Sequence, residues 1–386
     1  MRSISPLISA AQTAFTRVPL FRAIMYRPGY PDTTVDLSPY VVSAEATMPP
    51  NFSAGYVQLT VMNPNNVITN NVLVRPDYVL TVAFGYFVEG VADFQPLGIF
   101  YVDEPQRHFV VNPPRNEVIL QARDGVKLCM ERHFTVFEWL EFKDMSIQQA
   151  VDFALSLVLV AGESLTAVYD TDDETTAALA TQVDNIVVSA QDQLDNVYDL
   201  LKTLLAIQSL SAFFNESGQL RVGMMNGTTA ESTYGGVLAQ TRPIFGRDHR
   251  RSGREHQNWI HVEGDLVYAD VYDQANIDDI GRVKYKFIDD PEIDDQDKAA
   301  RRARQELDLA ARFREQPDIT VPWMLDLEIR DVITLDDEGA SGLSRSDWRV
   351  EDMRFNYQAG KQPICTLQLG LGLPTAPKTE ETGTFV

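Results

Sequence analysis

Pro96-Leu97-Gly98-Ile99-Phe100-Tyr101-Val102-Asp103-Glu104, with Val118-Ile119-Leu120-Gln121-Ala122-Arg123 after it, decides the fold. The first stretch reads as a strand from Leu97 to Glu104 that ends in an acidic pair. The second reads as its antiparallel partner, reached through a Pro-rich turn at Asn112 to Arg115. The pattern returns far along the chain, where Val350-Glu351-Asp352 precedes Thr366-Leu367-Gln368-Leu369 much as Val102-Asp103-Glu104 precedes Ile119-Leu120-Gln121-Ala122. Two related β-domains are therefore expected, with both acidic pairs as turn carboxylates.

Working outward, Ser5-Pro6 opens a short helix within residues 1–17, Ser as N-cap and Pro at N1, with Leu7, Ala10, Ala11, Ala14 and Phe15 on one face. Extended runs follow at Leu20 to Tyr26, Val35 to Glu45, Tyr56 to Met62 and Tyr78 to Val88, separated by Pro28-Gly29-Tyr30-Pro31 and Asn63-Pro64-Asn65-Asn66. Strands at this spacing predict a first β-barrel domain over 18–125. Helical spacing then appears at Ser146 to Val160 and Asp195 to Ser211, and Phe213 to Val222 reads as a hairpin. These make a small α/β domain over 126–225.

β-character resumes at Asn258 to Gly264 and Asp265 to Tyr272, and a second barrel is expected over 226–372. One helix interrupts it near 296–315, capped by Asp294 or Asp295, with Ala300, Ala303, Leu307, Ala310 and Phe313 as its apolar stripe and Arg301, Arg302 and Arg304 facing water. Strands Trp323 to Leu335, Trp348 to Tyr357 and Ile364 to Leu371 complete the domain. Residues 373–386, a Pro/Thr/Glu/Gly mixture, read as a flexible tail. The expected class is α+β, predominantly β: two related β-barrel domains with a small α/β domain between them.

Composition narrows the function. The 386 residues exceed what one core serves. A net charge of −22 argues against gripping nucleic acid phosphates, which takes clustered Lys and Arg. It suits a surface that DNA passes without sticking. Two cysteines, Cys129 and Cys365, stand in apolar contexts and read as free core thiols. The N-terminus lacks the pattern of a signal peptide, and the longest apolar run, Phe153 to Ala161, is too short for a membrane-spanning helix.

Catalytic signatures are missing: no Gly-x-Ser-x-Gly elbow, no phosphate-cradling glycine loop, no His-Glu-x-x-His helix and no Cys-x-x-Cys pair. No catalytic residue is expected. His249, His256 and His261 are close in sequence, but His261 alternates within a strand and the other two sit in a flexible polar loop without ligand spacing, so no metal is expected there. The acidic run Asp289 to Asp297 lacks the glycine and terminal Glu of a calcium loop and suits a helix N-terminus instead. No cofactor is expected. The basic loop 246–258 could meet an acidic partner surface, including that of a second copy. Trp139, Trp259, Trp323 and Trp348 are scattered through apolar contexts, which disfavours a sugar-binding platform.

The succession of parts resembles the baseplate-hub, or tail-hub, proteins of long-tailed bacteriophages and related contractile injection machines. The residues that carry the resemblance are Pro96 to Glu104, Leu120 to Leu128, Ser211 to Leu220, Asn258 to Gly264, the Ala/Arg helix at 296–315 and Asp331 to Leu335. It spans about residues 18 to 372 in order. The resemblance implies a homotrimer in the virion, assembled in the host cytoplasm, whose two barrels per chain give a pseudo-hexameric ring. That ring would adapt a sixfold tail tube to a threefold spike or fibre and line the DNA channel. Its implied partners are distal-tail or tail-tube rings above, a spike or fibre below and the tape-measure protein's end in the lumen. No specific nucleic acid binding or membrane insertion is implied. A distal-tail protein with one barrel per chain, forming a hexamer, is the alternative within the structural class. A phage-borne glycan-binding or glycan-degrading protein is the alternative from another class, and a cell-envelope enzyme is disfavoured by the absent signal pattern.

Overall fold

A computed structural model describes residues 4–13, 18–49, 52–71, 74–88, 90–110, 115–135, 140–183, 186–188, 195–208, 210–224, 232–235, 242–251, 257–290, 293–312, 315–337, 343–371 and 379–384. Its chain divides into two compact units. Unit 1 holds residues 1–226, 322–329 and 352–366, and unit 2 holds 227–321, 330–351 and 367–386. The fold is predominantly β.

Unit 1 opens with helix α1 (Pro6–Thr13), then strands β1 (Val18–Arg27), β2 (Tyr30–Asp36), β3 (Val41–Met48), β4 (Tyr56–Met62), β5 (Val79–Val88), β6 (Val91–Val110) and β7 (Arg115–Arg123). In the sheet they lie in the order β2-β1-β5-β6-β7-β4-β3. Alternation drives this: in β4, Val57, Leu59 and Val61 are fully buried while Tyr56, Gln58 and Thr60 are half-exposed. The strand expected at Leu97 to Glu104 is longer than its apolar run. β6 passes through Asp103-Glu104 to Val110, and its register on β7 shifts between Val102 and Pro105. The acidic pair is thus a bulge, where an extra residue bends the strand, and not a strand end.

The middle of unit 1 is helical with short strands: α2 (Gly125–Glu131), β8 (Leu140–Phe142), α3 (Ile147–Ser156), β9 (Leu159–Val160), β10 (Glu163–Ser164), β11 (Ala167–Tyr169), α4 (Asp173–Ala180), β12 (Ile186–Val188), α5 (Val197–Ala206), β13 (Ser211–Phe214) and β14 (Leu220–Gly223). Here β8 pairs with β12, β9 with β10, and β13-β14-β11 form a small mixed sheet. Ser146 caps α3 with a reciprocal Gln149 bond, a capping box, and Asn196 caps α5. Ala150, Val151, Ala154 and Leu155 of α3 and Leu200, Leu201, Leu204 and Leu205 of α5 share one core with Leu220 and Val222. Cys129 is buried in that core as a free thiol; Cys365 is likewise free and buried in the strand that holds it.

Unit 2 contains β15 (Ser232–Gly235), β16 (Gly246–Arg251), β17 (Trp259–Glu263), β18 (Val267–Tyr272), α6 (Gln274–Ile280), β19 (Tyr285–Asp289), α7 (Gln296–Arg312), β20 (Glu315–Pro322), β21 (Val332–Asp337), the long strands β22 (Leu343–Gln358) and β23 (Ile364–Leu371), and β24 (Thr379–Thr384). The three spans β20, β22 and β23 have some residues in unit 1. Two sheets result. In one, β16 pairs with β20, β20 neighbours β23, β23 neighbours β22, and β22 pairs through Leu343–Arg349 with β21, which carries β15. In the other, the order is β19-β17-β18-β24. Helix α7 covers one face of this sheet, packing Ala299, Ala300, Ala303 and Leu307 on Ile260, Val262, Ala269 and Val271.

Three expectations change. Residues 323–331, read as a strand, are irregular and largely buried: Trp323 and Leu327 are fully inaccessible, so burial and not pairing sets their conformation. The polar loop at 246–258 is a strand over Gly246–Arg251, held antiparallel to β20 with Arg251 opposite Glu315. The tail at 373–386 contains β24, which pairs along all of β18 from Val267↔Thr384 to Tyr272↔Thr379. Its Thr/Glu/Gly composition hides a strand whose order comes from its neighbour's ladder.

Aligning the two β-regions by strand order reveals the internal repeat. In the first, β3 pairs β4, β4 pairs β7, β7 pairs β6 and β6 pairs β5. In the second, the same succession is β16, β20, β23, β22, β21. Both run in the same chain order, so β3 to β7 correspond to β16 and β20 to β23. The repeats diverge at their flanks, where β5 meets β1 antiparallel but β21 meets β15 parallel.

Candidate assembly surfaces

The repeated acidic pairs occupy like places in the two central long strands, and each is tied into its own surroundings. Asp103 receives a bidentate bond from Arg123, Nε to Oδ2 at 2.9 Å and Nη2 to Oδ1 at 2.8 Å. Lys127, almost wholly buried on α2, donates to Asp77 Oδ1 at 2.6 Å and to the Val102 carbonyl at 3.0 Å, and lies 3.6 Å from Asp103. In the second pair, Asp352 accepts from Arg354 Nε and Nη2 at 3.1 Å. Glu351 lies over Gly370 of β23, where an added Cβ would fall 2.9 Å from its Oε1. Asp103 and Asp352 each accept from an arginine, and both pairs lie inside strands and not at turns.

Asp124, between Arg123 and α2, caps that helix. Its Oδ1 accepts from the Val126 N–H at 3.0 Å and its Oδ2 from the Gly55 N–H at 2.8 Å. Burial pushes its carboxyl up to about 7, against the pull of these bonds and of the Arg123 charge. Sequence reading passed over Asp124; its signal was an Asp-Gly step directly before a helical run.

The three histidines separate. His249 lies in β16, His256 falls outside the described residues, and His261 sits in β17 with Nδ1 3.0 Å from Asp270 Oδ2. Among the described residues no group of three or more His, Cys, Asp or Glu side chains converges as a metal site. In the acidic run, Asp295 accepts from the N–H groups of Asp297 and Lys298 at the start of α7. Lys298 holds Asp294 below the usual carboxylate range.

Trp323 and Trp348 are buried, Trp139 is outside the described residues, and Trp259 departs from expectation. It stands on the face of the β19-β17-β18-β24 sheet opposite α7. Alternation puts Ile260, Val262, Ala269, Val271 and Ile288 toward α7, so Trp259, His261 and Glu263 of β17, Tyr268, Asp270 and Tyr272 of β18, and Tyr285, Phe287 and Asp289 of β19 share the other side. The rings form ladders across the strands: Trp259 stacks on Tyr272 at 4.5 Å between centroids, and His261 stacks on Tyr268, Phe287 and Tyr285 at 5.9, 5.5 and 6.2 Å. Asp270 fixes the ladders in place, accepting from Trp259 Nε1 at 2.6 Å while facing His261. The Tyr268 ring lies where a side chain at Gly383 of β24 would be, 2.5 Å from a Cβ built there. Desolvation, then the charges of Asp270 and Glu263, raise the Tyr285 hydroxyl pKa above its ordinary value. This face escaped sequence reading because its strands are short and its aromatics alternate with buried aliphatics, which mimics a core pattern.

No protein family matches the chain in sequence, and no characterised protein does either. Solved structures do match in fold. The chain is similar to a 43 kDa tail protein of prophage MuSo2 from Shewanella oneidensis, at 14% identity and a TM-score of 0.63, over 90% of this chain and 97% of that one. It is similar to a tail protein from Neisseria meningitidis MC58 at 12% identity and a TM-score of 0.65, over 91% and 96%. An Escherichia coli component of the type VI secretion system, described as structurally similar to the T4 phage tail proteins gp27 and gp5, matches at 8% identity and a TM-score of 0.54, over 87% and 74%.

Proposed function

The fold is that of phage tail and tail-like injection proteins, and on that premise we propose that this chain is the structural hub of a phage tail tip or baseplate. It acts as a homotrimer in the virion, with no catalytic role and no cofactor. The observation that carries the reading is the repeated strand order β3-β4-β7-β6-β5 and β16-β20-β23-β22-β21 within one chain. Two copies of one ring-building strand order per chain turn three chains into six near-equivalent units. A closed threefold assembly then matches a sixfold tail tube on one side and a threefold spike or fibre on the other. Distal-tail or tube rings and the end of the tape-measure protein are its neighbours. The net charge of −22 suits a channel that DNA traverses without adhering.

Electron microscopy of the purified chain tests this. The reading expects rings with threefold symmetry and a six-lobed outline. Rings of six chains would favour the distal-tail alternative, and the absence of the chain from purified particles, assayed by immunoblot across a density gradient, would remove the virion assignment.

A further inference from the structure

Strand β19 ends its sheet on one side: among the described residues it pairs with β17 alone, from Tyr285 to Asp289 and without a bulge. The bonds at its two ends fix which groups that pairing uses. The Lys284 carbonyl accepts from the Trp259 N–H at 3.2 Å, and the Asp290 N–H donates to the Glu263 carbonyl at 2.9 Å, so residues 284, 286, 288 and 290 turn their backbone toward β17. By alternation, the N–H and C=O groups of Tyr285, Phe287 and Asp289 point away from β17, along the open edge. The same three residues carry their side chains on the aromatic face. Tyr285 and Phe287 are 54% and 52% exposed. Phe287 gives one side of its ring to His261, at 5.5 Å between centroids and 14° between planes, which leaves the other side to the edge.

Edges of this kind are ordinarily blunted by a lysine, a proline or a bulge. None of these guards the aromatic side of β19: its one lysine, Lys286, alternates to the α7 side and binds Glu306 at 2.6 Å. The nine positions of the aromatic face on β17, β18 and β19 hold three carboxylates and no Lys or Arg, and Glu263 stands beside Asp289 in the strand register, a like-charge pairing that a cation relieves. The edge thus joins outward backbone groups, ring surface and negative charge. We infer that the β19 edge receives an extended segment of another protein, which adds to the sheet as a strand and carries Lys or Arg at alternate positions. Its backbone bonds to Tyr285, Phe287 and Asp289, while its cations lie over the two rings and reach the Glu263 and Asp289 carboxylates. A second copy of β19 suits the edge less, because it sets the carboxylates of both copies on one continuous face. The site is complete within one chain and does not depend on the threefold assembly proposed above.

The probe is a synthetic peptide, Thr-Arg-Val-Arg-Val-Arg-Thr, with its Glu-for-Arg counterpart as the control. Titrated into the full chain at low salt, the Arg peptide should bind saturably and the Glu peptide should not. Hydrogen exchange at single-residue resolution separates strand addition from loose attraction. Binding should slow the amides of Tyr285, Phe287 and Asp289 about tenfold or more, and leave Lys286 and Ile288, whose amides face β17, as they were. Phe287→Pro removes an outward N–H without taking a bond from β17, and should abolish binding. Glu263→Gln with Asp289→Asn should weaken it about tenfold, and circular dichroism checks that both variants fold. No binding of the Arg peptide to the parent chain, equal binding of the Glu peptide, or binding that leaves the three amides unprotected would overturn the inference. So would a mass by light scattering that Phe287→Pro halves, which marks a second copy on the edge, or binding of N-acetylglucosamine oligomers, lost in Phe287→Ala, in place of the peptide.

Discussion

The two repeats build one strand order with different first hairpins. In the first repeat β3 and β4 are joined by residues 49–55; in the second, β16 and β20 are separated by residues 252–314, which hold β17, β18, β19, α6 and α7. A hairpin connection lies at the rim of its sheet, so a long insertion there leaves the ladder intact if it brings its own core. This one does: Ile260, Val262, Val271, Ala303 and Leu307 form a cluster of their own. The first repeat takes its extra burial from elsewhere, with Trp323 packing against Phe84 at 3.9 Å between centroids and Tyr86 donating to the Trp323 carbonyl at 2.9 Å. One frame thus supports two solutions, and the second adds an exposed face.

The sharpest way to break the comparison is to open each core alone. Trp323→Ala should cost about 3–5 kcal/mol and Leu307→Ala about 2–5 kcal/mol, from lost burial plus the cavity left behind. If the insertion has an independent core, Leu307→Ala shifts the unfolding seen by Trp259 fluorescence and leaves the near-ultraviolet signal of Trp323 unchanged. A common shift of both signals would make the two cores one cooperative body.

Asp124 sharpens the picture of the first repeat. Its carboxyl, raised to about 7 in the folded chain from an ordinary value near 4 when unfolded, binds its proton more tightly in the native state. The stability it confers is complete below about pH 4 and is lost as pH rises through about 7, on the order of 2–4 kcal/mol across the window. Urea midpoints measured from pH 4 to 8 should show that decline, and Asp124→Asn should flatten it. A midpoint that climbs over this range for the parent but not for the variant would contradict the assignment.

The smallest effect concerns the insertion's last strand. Gly383→Ala puts a methyl group into the Tyr268 ring, and should cost about 1–3 kcal/mol by overpacking. Hydrogen exchange should then quicken at the β18 and β24 amides first. Unchanged protection would mean that β24 does not hold Tyr268 in place.

Much of this frame was legible in the sequence, and for physical reasons. Alternation in Tyr56 to Met62, the Ser146 cap and the Ala/Leu stripe of α7 are local signals, and the structure places an element at each. The likeness of Val102-Asp103-Glu104 to Val350-Glu351-Asp352 pointed to the repeat because corresponding strands face corresponding neighbours. What was not legible depends on partners distant in sequence. β24 is ordered by β18, β16 by β20, and the conformation of 323–329 by burial. The aromatic face was hidden for the same cause: each ring sits in an unremarkable short strand, and only the parallel pairing of β17 with β19 sets Phe287 beside His261.

The central claim is that two repeats of one strand order per chain make a threefold assembly. Chromatography coupled to light scattering on the full chain measures this most directly. The account predicts a mass of three chains; a mass of six, or of one at every concentration tested, would contradict it.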